Sequence, residues 1–140
     1  MATLNPYLLF NGNAKEAFDF YKTVFGGEFP MVMRFKDAPP EHRGSEGEAE
    51  KIMHIALPVG QSVLMASDAP EAQKVTVGSN FTVSITAESK EEADRMFNEL
   101  ASGGQAYMPM STTFWGSYFG MLQDKFRVNW MVSYDQNQQQ

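Results

Sequence analysis

No cysteine occurs among the 140 residues. That absence removes disulfides, thiol nucleophiles and cysteine-based zinc or iron–sulfur sites, and it fits a reducing compartment, so the cytoplasm is the expected location. Positive charge is scarce: 11 Lys and Arg stand against 17 Asp and Glu, a formal net charge of −6. Phosphate backbones demand clustered Lys and Arg, which excludes nucleic acid as a partner class. No window approaches the ~18 uninterrupted apolar residues of a membrane span. The opening Met1-Ala2-Thr3-Leu4-Asn5-Pro6 lacks the basic start and apolar run of a secretion signal, so neither export nor membrane contact is expected. Histidine is nearly absent too, with only His42 and His54.

What is present describes an ordinary globular chain, 43% hydrophobic and 20% charged, which excludes disorder and fibrous classes. Its length fits one domain, and ten Met and eleven Phe favour an adaptable core. Leu4 to Phe10 reads as a strand. Asn13 and Glu16 then have capping-box spacing, and Ala17, Phe20, Tyr21 and Val24 form an apolar stripe closed by Gly26-Gly27, which predicts a helix over about Ala14 to Phe25. Glu28 to Phe35 reads as a strand, and Asp37 to Glu50, with Pro39-Pro40 and five acidic residues, as an exposed, mobile loop. Lys51 to Pro58 and Ser62 to Ser67 form a hairpin about Gly60.

The order then repeats. Asn80 to Ala87 reads as a strand, Ser89 and Glu92 as a second capping box, and Ala93, Met96, Phe97 and Leu100 as a helical stripe ended by Gly103-Gly104. Strands follow over about Ala106 to Met110, Phe114 to Gln123 and Val128 to Tyr134. Glu16, Ala17 and Tyr21 recur as Glu92, Ala93 and Phe97, each 76 positions on, and Gly26 recurs as Gly103 after 77. The expectation is an α+β chain of two βαβββ modules, about 1–70 and 78–135, with a flexible polar tail over 136–140. One helix per module covers one sheet face, so the modules would form a curved, largely antiparallel sheet around a cavity that something must fill.

Asn5-Pro6-Tyr7-Leu8, Phe10-Asn11-Gly12-Asn13, Phe25-Gly26-Gly27, Met53-His54, Ser67-Asp68-Ala69, Phe114-Trp115 and Asp124-Lys125-Phe126 with Trp130-Met131 are arranged in order along nearly the whole chain. In these the sequence resembles the PhnB-like branch of the vicinal oxygen chelate superfamily, the glyoxalase and bleomycin-resistance proteins, often labelled 3-demethylubiquinone methyltransferase-like. The resemblance implies the glyoxalase fold, a small-molecule cavity and a homodimer. It departs at Arg127, where the branch usually has Gly, and a Cβ there penalises a turn with positive φ. The methyltransferase label finds no support, because both Gly pairs end helices, whereas a nucleotide-type cofactor needs a Gly-rich turn from strand into helix.

Metal-dependent members of that superfamily take His, Glu or Gln from the first and last strand of each module. The matching positions are Asn5, Pro6 and Tyr7, then Leu64, Met65 and Ser67, then Asn80, Phe81 and Thr82, and finally Asn129, Trp130 and Met131. None is a hard ligand of that set, so no metal or other cofactor is expected. His42 reads as an exposed loop imidazole. His54 lies mid-strand, with Ala66 or Ser67 opposite, so Ser67 and Asp68 are its nearest expected partners. Asp68 itself reads as a turn former at a strand end.

Without Cys or a Gly-x-Ser-x-Gly elbow no nucleophilic machinery is visible, and His54 is the one weak catalytic candidate. The residues expected to meet a ligand are Tyr7, His54, Met65, Ser67, Phe114, Trp115 and Trp130. The leading expectation is metal-free binding of a small molecule, with a hydrophobic cation as the natural guest of an acidic chain. The competing readings are a glyoxalase- or dioxygenase-like enzyme holding a divalent ion through His54, and a structural protein with a filled cavity.

Overall fold

A computed structural model describes residues 2–136; of the tail expected over 136–140, residues 137–140 lie outside the described residues. The chain forms two compact units, Met1–Thr76 and Val77–Gln140. The first runs β1 (Tyr7–Phe10), α1 (Ala14–Phe25), β2 (Met31–Arg34), β3 (Ile52–Val59) and β4 (Ser62–Asp68). The second runs β5 (Val83–Thr86), α2 (Lys90–Ala101), β6 (Gln105–Thr112), β7 (Ser117–Gln123) and β8 (Asn129–Asp135). The α+β class and the doubled βαβββ order are as expected, and the strands pair as two four-stranded mixed sheets.

Both sheets follow one path: β1-β4-β3-β2 and β5-β8-β7-β6. In each the first strand lies parallel to the last, and the remaining pairs are antiparallel. The two helices are 12 residues each and start at Ala14 and Lys90, the same 76-residue spacing that the sequence repeat shows. Among the described residues no helix is long and apolar enough to cross a membrane.

Each helix buries one stripe on its own sheet. In α1 this is Ala14, Ala17, Phe18, Tyr21 and Val24, so Phe18 occupies the core place expected of Phe20, which is only half-buried. Opposite them β3 and β4 contribute Ile55, Leu57, Leu64 and Ala66. Fully burying a side chain such as Phe18 or Leu57 stabilises the fold by about 1.5–3 kcal/mol. In α2 the buried stripe is Ala93, Met96, Phe97 and Leu100, as the periodicity predicts.

The helix starts differ from expectation in one instructive way. Ser89 Oγ accepts from the Glu92 amide (3.1 Å), while Glu92 reaches back to the Glu88 amide (2.9 Å). Asn13 makes no side-chain cap bond. Its place is taken by Asp68, whose Oδ1 accepts from the amides of Gly12 (3.0 Å) and Ala14 (2.9 Å) and whose Oδ2 accepts from the Ile52 amide (2.8 Å). Asp68 is only 3% exposed and ties β1, α1 and β3 to the end of β4.

Other differences are local. The strand expected over Glu28 to Phe35 is confined to Met31–Arg34, with a register shift between Met33 and Arg34. The loop before β3 contains three 3-10 turns, Phe35–Asp37, Pro40–His42 and Glu46–Glu48. His42 is exposed there, but Glu48 is buried and its Oε1 accepts from the Glu71 amide (2.6 Å), so this segment is tied to the chain after β4. Phe114 and Trp115, expected to open a strand, sit instead in the β6–β7 turn, which Thr113 closes through its bonds with Ser117.

Candidate functional site

Strand alternation gives each sheet a face that packs on its helix and a face that does not. In the first unit, Leu8 and Phe10 of β1 point to the helix side, leaving Tyr7 and Leu9 on the other. The register sets Tyr7 beside Met65 and Leu9 beside Ser67. Met65 pairs with Ala56 of β3, Ala56 with Met31 of β2, and Met33 with His54. Four expected ligand residues, Tyr7, His54, Met65 and Ser67, therefore share the face of the first sheet that α1 does not cover.

His54 finds a partner that spacing along the chain does not disclose. Its Nδ1 lies 3.3 Å from the Tyr7 hydroxyl, and the two rings are 5.7 Å apart at their centroids. Asp68, expected beside it, is engaged on the opposite face of the sheet by three amides. The imidazole Nε2 has no hydrogen bond among the described residues. A phenol can donate to a neutral imidazole nitrogen or accept from a protonated one, so the pair suits either charge state of the ring. Tyr7 is 46% exposed, so the pair is open to solvent on the β1 side.

The aromatic residues of the second unit divide. Trp130 is 1% exposed and lies on the helix side of its sheet, paired with Leu122, with its indole Nε1 donating to Asp124 Oδ2 (2.9 Å). It is a core residue and is withdrawn from the ligand set. Phe114 and Trp115 are 97% and 57% exposed, pack edge to face at 4.9 Å, and Trp115 rests against Phe119. They form an aromatic hairpin tip.

Asp124 builds the neighbouring turn. Its Oδ1 accepts from the amides of Phe126 (2.8 Å) and Val128 (3.0 Å), and the Arg127 amide donates to the Asp124 carbonyl (2.9 Å). Arg127 has φ 71°, the one non-glycine residue with positive φ among those described. The turn thus keeps its left-handed geometry with an arginine in place.

No group of three or more His, Asp or Glu side chains converges among the described residues. The superfamily's divalent ion does not fit here: at the matching strand positions His, Glu and Gln are missing, and His54 has only a phenol beside it. A nucleotide-type cofactor fits no better at the start of α1, because Asp68 already occupies the amides that would hold an anionic group. Both Gly pairs follow helices, as the sequence suggests.

Residues 2–133 match the family model described as 3-demethylubiquinone-9 3-methyltransferase. Among solved structures, protein PA1353 from Pseudomonas aeruginosa is 41% identical, with a TM-score of 0.88 over 98% of this chain and 100% of that one. The PhnB protein from Bacillus cereus is 26% identical, with a TM-score of 0.73 over 95% and 99%. A glyoxalase/bleomycin resistance protein/dioxygenase family enzyme from Burkholderia phytofirmans PsJN shares the fold at 19% identity and a TM-score of 0.63, over 92% and 96%. The chain belongs to the 3-demethylubiquinone-9 3-methyltransferase-like, or PhnB-like, family and has the glyoxalase/bleomycin resistance fold.

Proposed function

We propose that this protein binds a small, largely apolar molecule on the helix-free face of its first sheet, without a metal ion and without a reaction assigned to it. The observation that carries this reading is the Tyr7–His54 pair, set among Met33, Met65 and Leu9, with Nε2 of the imidazole unpartnered. Apolar walls supply the affinity and a few polar atoms fix orientation, which is the usual composition of a small-molecule site. Thioether side chains adapt to ligands of different shape. Ser67 adds one hydroxyl to the same face, beside Leu9.

The methyltransferase activity in the family's description gains nothing from this site. A homodimer belongs to the proposal as well. From Leu100 to Gln123 there is no charged residue, and the same stretch carries the exposed Phe114 and Trp115, so copies with a net charge of −6 can meet there without repulsion. Light scattering that gives the mass of a single chain removes the dimer.

Binding is tested with protein carrying 13C-methyl methionine, screened against a library of hydrophobic acids, alcohols and amines. The expected result is selective movement of the Met33 and Met65 methyl signals by some members. A library that moves neither signal refutes the proposal.

A further inference from the structure

The chemistry of this face restricts what it can hold, and the following rests on the binding reading above. No residue on it carries a formal charge. Tyr7 comes from β1, Ser67 and Met65 from β4 and Met33 from β2, and these are the side chains that surround His54 on its own side of the sheet. The nearby charged groups are engaged elsewhere: Asp68 is bound by three amides on the helix side, and Arg34 Nη1 donates to the Glu50 carbonyl. The titratable groups that remain are His54 and the Tyr7 phenol.

An uncharged apolar surface disfavours any permanent ion, because its hydration is lost without a countercharge. A cationic ligand finds no carboxylate there to replace the water. An anion finds no lysine or arginine, but it does find a group that can acquire a positive charge: imidazole is the side chain that takes up a proton around neutrality. The Tyr7 oxygen can accept from Nδ1–H once the ring is protonated, so the pair keeps its bond while Nε2–H is presented to the ligand.

We propose that the ligand is a hydrophobic weak acid, an apolar body ending in a single carboxylate-type group, and that one proton enters the site with it at His54. No bond is made or broken beyond that transfer: the proton comes from solvent, and the imidazole and ligand together are neutral whether the proton rests on Nε2 or on the ligand oxygen. The acidic balance of the whole chain suggests a hydrophobic cation, but the sheet face offers such a cation no carboxylate. Tyr7 acts as a positioning residue, holding the ring with Nε2 outward.

The probes are 2-naphthoate, 2-naphthalenemethanol and 2-naphthylmethylammonium, which share one apolar body and differ in charge. The expected result is that 2-naphthoate moves the Met33 and Met65 methyls, with affinity rising on the order of three- to ten-fold from pH ~8 to pH ~7. Calorimetry in buffers of different ionisation enthalpy should then show about one proton taken up per molecule bound. His54→Gln, similar in size but unable to take the proton, should fold normally by circular dichroism and lose the pH slope, while Tyr7→Phe should weaken binding and keep the slope. Equal or tighter binding of the ammonium or the alcohol, binding of the acid without proton uptake, or a slope that survives in His54→Gln overturns the weak-acid inference and leaves the binding site standing. Silence of both methyls with all three probes overturns the inference, and silence across the wider library removes the site as well.

Discussion

Arg127→Gly should stabilise this protein. The turn between β7 and β8 runs from Asp124 to Val128, and its geometry is imposed by the buried Asp124 carboxylate, which holds the amides of Phe126 and Val128 while the Asp124 carbonyl receives the Arg127 amide. That closure forces Arg127 to φ 71°. A residue with a Cβ loses roughly 1–2 kcal/mol in the left-handed region. The Arg127 side chain is exposed and has no hydrogen bond or ion pair among the described residues to offset this. Glycine relieves the strain, but it forfeits about 0.5–1 kcal/mol of backbone entropy on folding. The net gain is therefore about 0.5–1 kcal/mol, which for a chain of this size is a rise of roughly 2–4 °C or less in Tm. Urea denaturation reads the same quantity as a higher midpoint at an unchanged m value. Arg127→Ala is the control, because it removes the same charge and retains the Cβ, so it should not stabilise. If Arg127→Ala matches Arg127→Gly, the gain comes from the lost charge and the strain argument fails.

The two helix starts should respond differently to alanine. Ser89→Ala removes a formed cap bond and should cost about 1 kcal/mol, whereas Asn13→Ala removes none and should fall within about 0.5 kcal/mol of the parent in chemical denaturation; equal losses would contradict the assignment of the α1 cap to Asp68. Alkaline pH should weaken the second unit through Tyr118. Its hydroxyl donates to Asp94 Oδ1 at 2.5 Å, and that bond, with burial and the carboxylate charge, pushes its pKa up from 10.0 to about 12. Between those values the unfolded chain has released the proton and the folded chain keeps it, so the contribution is whole below pH ~10 and is lost as pH rises towards ~12. Denaturation midpoints across that window should fall more steeply for the parent than for Tyr118→Phe, and parallel curves would refute the coupling.

Periodicity and repetition were readable in the sequence because they are local. Ala93, Met96, Phe97 and Leu100 declare a helical face, and the 76-residue recurrence declares the duplication that both sheets then display. What sequence could not disclose is long-range. Asn13 satisfies the spacing rule for a cap, yet Asp68, more than fifty positions away, takes the Gly12 and Ala14 amides at that helix start because parallel pairing of β1 with β4 delivers it there. Likewise, alternation places His54 on a sheet face, but only the β1–β4–β3 order puts Tyr7 near it; the parallel pairing that could have revealed this is not encoded by any local pattern. Trp130 shows the reverse failure: an aromatic in an alternating strand belongs to one face or the other, and the Trp130 indole, which donates to buried Asp124, belongs with the helix side.

The duplication also explains why one unit carries the candidate site and the other does not. Both sheets have the same order, so each has a helix-free face. On the second sheet that face includes Phe119, Met121 and Met131 with Ser133 and Asn129, and it has no imidazole; Asn129 accepts from the Tyr107 hydroxyl and Ser133 lies beside Thr86. On the first sheet the imidazole has one nitrogen matched and one left over. That nitrogen is reached by solvent, since no buried side-chain nitrogen or oxygen among the described residues lacks a partner, so water serves it in the unliganded protein. A ligand acceptor or donor that takes the place of that water gains a directed bond on a surface otherwise built of thioether and aliphatic groups, and the second sheet offers no imidazole for the same exchange.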